Sequence, residues 1–373
     1  MTDLERAIQA IENGLLEPRG GEDTPREKMA LEERMSFHNV PGFSISLIEG
    51  GELVWAKGYG VTDVKGKEPV TPETIFQAGS ISKPVSAMVA LHLVEQGLLE
   101  LDTDINDKLR SWKVPDSKHT QPRRDGTQPV VTLRGLLSHT AGFTIRGYVG
   151  YTSDRELPTL LQILNGEKPA NSRQVRLVQK PDKSFKYSGG GYMVLEQLLE
   201  DVTGRSLVDL AQEIIFDQLG MENSTFQHHL PQKFLPQAAI AHNPKGKQVK
   251  GKWHIYPEHA TASLWSTPTD LARLVVEVIH ANQGESNRIL SQQMTHQMLT
   301  PQMHIGGLGF LIIQSGGRTR FEHPGWNAGY HSLLIGDLVT GQGVTWMTNG
   351  ENGKLLGWEV TRGLAGVFGW TWN

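Results

Sequence analysis

From residue 42 the chain alternates. Phe43, Ile45 and Leu47 are separated by Ser44 and Ser46 in GFSISLIE, the two-residue period of a strand with one buried face. A second run, ELVWAKGYG, follows across Gly50-Gly51. The same style returns late, in GLGFLIIQSGGRTRFEHPG, GYHSLLIGD and GVTWMTNG, short strand-like runs broken by glycine turns. The closing stretch GKLLGWEVTRGLAGVFGW reads as a helix laid against that sheet. Between the two ends the spacing becomes helical. Val194, Leu195, Leu198, Leu199 and Val202 recur until Gly204, and Leu207, Leu210, Ala211, Ile214, Ile215 and Leu219 until Gly220. Residues 111–130 are polar and proline-dotted, which predicts a surface loop. The pattern as a whole predicts an α/β fold of the α+β kind. One antiparallel sheet is assembled from both chain ends and flanked by helices, with a mainly helical lobe inserted. The expected boundaries are 1–75 with 300–373 for the sheet subdomain and 76–299 for the helical one, with the active site between them.

Composition narrows the function more than the fold. The net charge of the 373 residues is −4 and the basic residues are scattered, so no field awaits nucleic acid. No apolar run is long enough to span a membrane. The start, MTDLERAIQAIENGLL, reads as an acidic amphipathic helix without the basic and apolar regions of a signal peptide, and the expected location is cytoplasmic. Cysteine is absent, which excludes disulfides, thiolate metal sites and a cysteine nucleophile. His228 and His229 are adjacent and no H-E-x-x-H occurs, so no metal is expected. Gly189–Gly191 and residues 306–310 lack the spacing of a dinucleotide or phosphate loop, and no cofactor is expected. The absence of G-x-S-x-G closes the α/β-hydrolase route to an esterase.

One stretch departs from this plain picture. FQAGSISKPVSAMVALHLVEQG, residues 76–97, is apolar on nearly every side, yet it carries Ser80 and Lys83 near its start. Pro84 is tolerated only in a first helical turn, so the helix begins close to Ser80, and Gly79 lets the chain turn sharply into it. Residues three apart share a helix face, which places Lys83 under the Ser80 hydroxyl. A lysine buried there is biased toward its neutral form and becomes a usable base. Taken alone, S-x-x-K is better met by an N-capping serine and a lysine that reaches back to solvent, since so short a match arises often by chance.

The surrounding segments resemble the serine β-lactamase and penicillin-binding protein family, in particular its class C-like esterase and D-peptidase branch. The likeness runs from about Pro41 to Asn349. VPGFSISLIEGGELVWAKGYGVTDV is similar to the family's opening hairpin and VTPETIFQAGSISK to its approach to the nucleophile. VTLRGLLSHTAGF, FKYSGGGYMVLEQLLEDVTG and EHPGWNAGYHS follow in the family's order. The resemblance implies that Ser80 is the nucleophile, Lys83 its base partner and Tyr187 a proton shuttle. It places His323 and Gly325 in the third motif, with the backbone N–H groups of Ser80 and Trp326 as the oxyanion hole. Gly325 is expected to let the strand approach a bound acyl group. His139 of LLSHTAGF is expected to be structural.

Two departures bear on the substrate. Where the family's second motif reads Tyr-x-Asn, this chain reads Tyr187-Ser188-Gly189, and glycine offers no side-chain amide. Asn327 is the candidate substitute. A lysine of the third motif is replaced by His323, which is mostly neutral at pH 7 and poorly suited to a carboxylate. Both changes favour neutral esters or amides over lactams. The expected function is a serine acyl hydrolase with an acyl-enzyme at Ser80, acting on esters or on small or D-configured amides. The alternatives are a true β-lactamase or D-Ala-D-Ala carboxypeptidase, or a non-catalytic penicillin-binding-like sensor. The expected partner is a small-molecule ester, amide or short peptide, and the oligomeric state stays open. The aromatic stretches 143–152 and 253–260 are expected to line the cleft.

Overall fold

The structure is a computed structural model and describes residues 1–16, 28–122 and 126–370. Six strands form its main sheet: β1 (Gly42–Glu49), β2 (Glu52–Gly60), β3 (Leu311–Ser315), β4 (Arg318–Asn327), β5 (Tyr330–Asp337) and β6 (Gly343–Thr348). Their order across the sheet is β2-β1-β6-β5-β4-β3, and every neighbouring pair is antiparallel. The two chain ends meet at its centre, where Phe43 of β1 pairs with Thr348 of β6.

Six of the helices bear on the site or the sheet: α1 (Asp3–Asn13), α2 (Ser82–Glu95), α3 (Gly189–Thr203), α4 (His259–Ala262), α5 (Pro268–Gln283) and α6 (Gly353–Phe368). α6 lies on the sheet as its periodicity predicts, with Leu356, Val360, Leu364 and Phe368 buried at helical spacing. α1 is closed by a Thr2/Glu5 capping box and buries Ala7 and Ile11 in the same apolar layer as Phe43, Ile45 and Leu47. α3 starts behind Ser188 and ends at Gly204, which takes the left-handed conformation a terminating glycine supplies (φ 68°). The second helical run ends at Gly220 as expected, with a π turn at Gln212–Phe216 inside it.

β1 differs from the expectation of one buried face. Ser44 and Ser46 are as buried as the apolar residues between them. The cause is α5, from inside the 76–299 segment, which covers the serine face. Ser46 Oγ lies 3.5 Å from Thr269 Oγ1, and Thr345 on β6 donates to the Pro268 carbonyl at 2.7 Å. The sheet is therefore covered on both sides and one covering helix comes from the inserted segment. Of the surface loop at 111–130, residues 123–125 lie outside the described residues, as do 17–27 and 371–373 of the expected sheet subdomain.

Candidate active site

The approach to Ser80 is held by backbone on both sides. Phe76–Gln77 pairs with Trp265–Ser266, and Ala78 donates to the Leu264 carbonyl at 2.7 Å. The Ala78 carbonyl then accepts from Ser332 Oγ on β5 at 2.8 Å. Gly79 turns the chain with φ +53°, and a Cβ there would stand 2.6–2.7 Å from the backbone atoms of Trp326. Only glycine meets both demands. A 3₁₀ turn, Gly79–Ile81, carries Ser80 into α2. Ser82 fastens it by donating to the Gly79 carbonyl at 2.7 Å and accepting from Leu264 N–H at 3.0 Å.

Lys83 is fully buried. Its Nζ stands 3.0 Å from Ser80 Oγ and donates to the Thr261 carbonyl on α4 at 3.1 Å. It also lies 5.1 Å from the centre of the Tyr187 ring. Burial with no acidic partner lowers the lysine to about 7. The amine is thus half deprotonated near neutral pH. Nζ is held between the Thr261 carbonyl and Ser80 Oγ, donating to both.

Tyr187 is set just before α3. Its hydroxyl lies 3.5 Å from His323 Nε2, at the long limit of a hydrogen bond. The other ring nitrogen, Nδ1, is 2.8 Å from the Pro324 carbonyl, which can only accept, so Nδ1 carries the hydrogen and Nε2 the lone pair. Burial first, and Lys83 second, lower His323 to about 3, so the ring is neutral. Burial raises Tyr187 to about 12 against the opposing effects of the Ser80 hydrogen bond and of Arg146. The phenol therefore holds its proton. His139 stacks on it with ring centres 4.3 Å apart and accepts from Ser188 N–H at 3.2 Å, which fixes the turn that presents the tyrosine.

Two of the remaining expectations change, and a third position proves to be filled. Gly325 is close-packed by protein: a Cβ would lie 2.0 Å from the Ala78 carbonyl and 2.1 Å from Ser332 Oγ. The approach that requires glycine is that of the nucleophile's own turn. Asn327 cannot lend its amide hydrogens to a ligand, because Nδ2 donates to Gln77 Oε1 at 2.8 Å and to the Ala262 carbonyl at 2.9 Å. Its Oδ1 is buried without a partner among the described residues. At Gly189 the space for a side chain is occupied, with Thr261 Cγ2 at 3.0 Å, the Arg146 carbonyl at 3.2 Å and Tyr148 Cε2 at 3.3 Å from an ideal Cβ.

These residues border a cleft of about 660 Å³ that reaches Ser80, Tyr187, Gly325, Trp326 and Asn327. Arg146–Val149 line it as the 143–152 stretch predicts, whereas 253–260 stands behind the wall. Trp253 packs edge-on against Trp265, ring centres 5.1 Å apart, in the core. Arg146 is the residue the motifs did not reveal. Its guanidinium lies 5.5 Å from the centre of the Tyr187 ring. The only signal for it was a single cation in the aromatic run after LLSHTAGF. Among the described residues no group of three His, Cys, Asp or Glu side chains could hold a metal ion, and no helix is long and apolar enough to cross a membrane.

Comparison with known proteins bears on the family and the fold. The family model described as Beta-lactamase matches residues 28–357. A teichoic acid D-alanine hydrolase of Staphylococcus aureus is 25% identical over 256 residues, which cover 69% of this chain and 57% of the hydrolase. The chain thus spans little more than half of that relative. Penicillin-binding protein 4 of Amycolatopsis lactamdurans is 28% identical over 359 residues, covering 88% of this chain and 86% of the other. Among solved structures, the D-amino acid amidase of Ochrobactrum anthropi SV3 complexed with D-phenylalanine is 22% identical. It covers 99% of each chain with a TM-score of 0.71, a likeness of fold.

Proposed function

The chain belongs to the Beta-lactamase family, and from that premise we propose that it is a serine hydrolase whose acyl-enzyme forms on Ser80 and whose preferred substrates are esters. The observation that carries the reading is the pair at its centre. A fully buried lysine, poised near neutrality, stands 3.0 Å from a serine hydroxyl at the mouth of a cleft.

The steps follow from the atoms in place. The Lys83 lone pair takes the Ser80 proton as Oγ attacks the ester carbonyl. The charge that develops on the carbonyl oxygen is met by the N–H groups of Ser80 and Trp326, held side by side by the packing of Gly79 on the Trp326 backbone. Collapse expels the alcohol, which takes up a proton through Tyr187, and Tyr187 is replenished from the Lys83 ammonium. Water then repeats the sequence on the acyl-enzyme and releases the acid. His323 leaves its lone pair toward the phenol and keeps Tyr187 in register without adding charge.

Ester preference rests on what is missing. Neither a side-chain amide at 189 nor a cation at 323 is present to hold a lactam's side chain and carboxylate, and Asn327 does not replace the amide. Small or D-configured acyl groups, such as the D-alanine named for the staphylococcal relative, fall within the same reaction class. The test is intact-protein mass spectrometry after a fluorophosphonate. One adduct on Ser80, abolished together with p-nitrophenyl ester turnover in Ser80→Ala, is expected. A folded protein modified elsewhere or nowhere refutes the acyl-enzyme.

A further inference from the structure

One side of the cleft is formed by residues 146–149, and the turn at 144–146 that leads into it is built onto the start of α3. The first N–H groups of a helix have no partner within it. Here Gly189 N–H reaches the Arg146 carbonyl at 3.2 Å and Gly190 N–H the Ile145 carbonyl at 3.1 Å, while Ser188 Oγ donates to the Thr144 carbonyl at 2.8 Å. The glycines make this possible, since a Cβ at 190 would stand 2.4 Å from the Thr144 carbonyl. Ile145 is held at φ +65°, a conformation a β-branched residue adopts only under constraint. The run of three glycines that displaces the family's asparagine therefore does more than omit an amide. It docks a loop whose next side chain, Arg146, is delivered to the cleft.

That side chain arrives without a partner. Arg146 is exposed and makes no hydrogen bond or ion pair among the described residues, although its guanidinium lies 5.5 Å from the Tyr187 ring centre. The charged groups lining the cleft are Arg146 and Lys354, and no Asp or Glu side chain lines it. Glu351, beside the lining residue Trp326, already accepts from Trp326 Nε1 at 2.9 Å and from Gly329 N–H at 2.6 Å. Apart from the polar Ser80, Thr261, Asn327, His331 and Ser332, the lining is mostly apolar or aromatic, including Val149, Phe185, Ile305 and Leu311. A cleft of this kind offers a substrate ammonium no carboxylate to pair with, and offers a carboxylate a planar, charged fork.

We propose that Arg146 is a specificity residue that receives a carboxylate carried by the substrate, so that the favoured esters are anionic with an apolar body and not the neutral ones expected from the motifs alone. The carboxylate is met at position 146 and not at 323, where the missing cation would hold a lactam's. The proposal rests on the assignment of the Ser80 cleft as the substrate site. The carboxylate belongs either to the acyl chain or to the alcohol, and two matched pairs separate these. For the acyl side, the p-nitrophenyl monoester of adipic acid is compared with p-nitrophenyl hexanoate and with the 5-trimethylammoniopentanoate. For the alcohol side, pentanoate esters of 4-hydroxybenzoate and 4-hydroxybenzamide are compared. In at least one pair the anion is expected to have the higher kcat/KM, on the order of 10-fold. The ratio should fall toward unity in Arg146→Ala, recover in part in Arg146→Lys, and shrink at high salt. Arg146 is exposed, so melting curves of the variants should match the wild type. Calorimetry of the intact esters on Ser80→Ala protein reads the same preference without turnover. It keeps this test decisive even if the acyl-enzyme reading fails. Equal affinities and rates in both pairs, a ratio indifferent to Arg146→Ala, or preference for the trimethylammonium ester would overturn the assignment.

Discussion

The Tyr187 hydroxyl faces the lone pair of His323 across 3.5 Å, because the histidine's only hydrogen is committed to the Pro324 carbonyl. Neither group is charged in the ordinary range, since burial holds one near 12 and the other near 3. Under the proposed acyl-enzyme reading, the base that remains is Lys83.

That assignment fixes a pH dependence. Lys83 is lowered to about 7 by burial and must be unprotonated to accept from Ser80. Ester kcat/KM should therefore rise with unit slope below about pH 7 and flatten above it, whereas a tyrosinate base would keep it rising far into the alkaline range. Lys83→Ala should lower kcat by roughly 10²–10⁴ and remove this limb. A profile flat from pH 5 to 9 contradicts the assignment.

Tyr187→Phe keeps the ring on His139 and removes only the hydroxyl. It should lower kcat by roughly 10²–10⁴ with little change in melting temperature. His323→Lys places an ammonium where a neutral ring now stands, beside Lys83. The repulsion should move the acid limb of the pH profile to lower pH, and cephalosporin turnover should gain relative to ester turnover. An unmoved limb in a folded variant would show that position 323 does not sense the reacting groups.

Wild-type protein should hydrolyse p-nitrophenyl esters with kcat/KM well above that for a chromogenic cephalosporin. Gly189→Asn should not convert it to a lactamase, because Thr261, Tyr148 and the Arg146 carbonyl already occupy the side-chain space. Crowding of this order typically costs about 1–3 kcal/mol. Gly190→Ala should cost more, its Cβ meeting a backbone carbonyl that cannot swing aside. Thermal unfolding of the two variants gives the order.

Behind the cleft wall, Glu258 is fully buried and neither carboxyl oxygen has a partner among the described residues. Burial, with Glu196 adding to it, raises this acid to about 8. A raised carboxyl contributes stability that is complete below its unfolded value and is lost as pH climbs through the folded one. The contribution should therefore fade between about pH 4.5 and 8, by at most about 1.4 kcal/mol per unit. Glu258→Gln should flatten that decline. Parallel melting temperatures of variant and wild type across pH 5–8 would show that the carboxyl is already ionised.

Much of this was legible along the chain because it is local. Alternation at Phe43, Ile45 and Leu47 locates a strand, and Pro84 beside Lys83 locates a helix start that places a lysine under a serine. Contributions from distant segments were not legible. The serines of β1 look exposed until α5, more than 200 residues later, covers them. Asn327 looks free until Gln77 and Ala262 occupy its amide. Arg146 is one cation among many until Gly189 and Gly190 take the carbonyls beside it.

The seam that joins Phe43 to Thr348 also orders events in time. During synthesis Ser80 and Lys83 leave the ribosome long before the strand that backs them, and contacts between such distant segments are slow to form. Until Gly325 and Trp326 arrive against Ala78 and Gly79, the turn that carries Ser80 lacks its backing and the cleft one of its walls. The nascent chain is therefore its own zymogen. Acylating reagents present during translation should mark finished molecules and spare the unfinished ones.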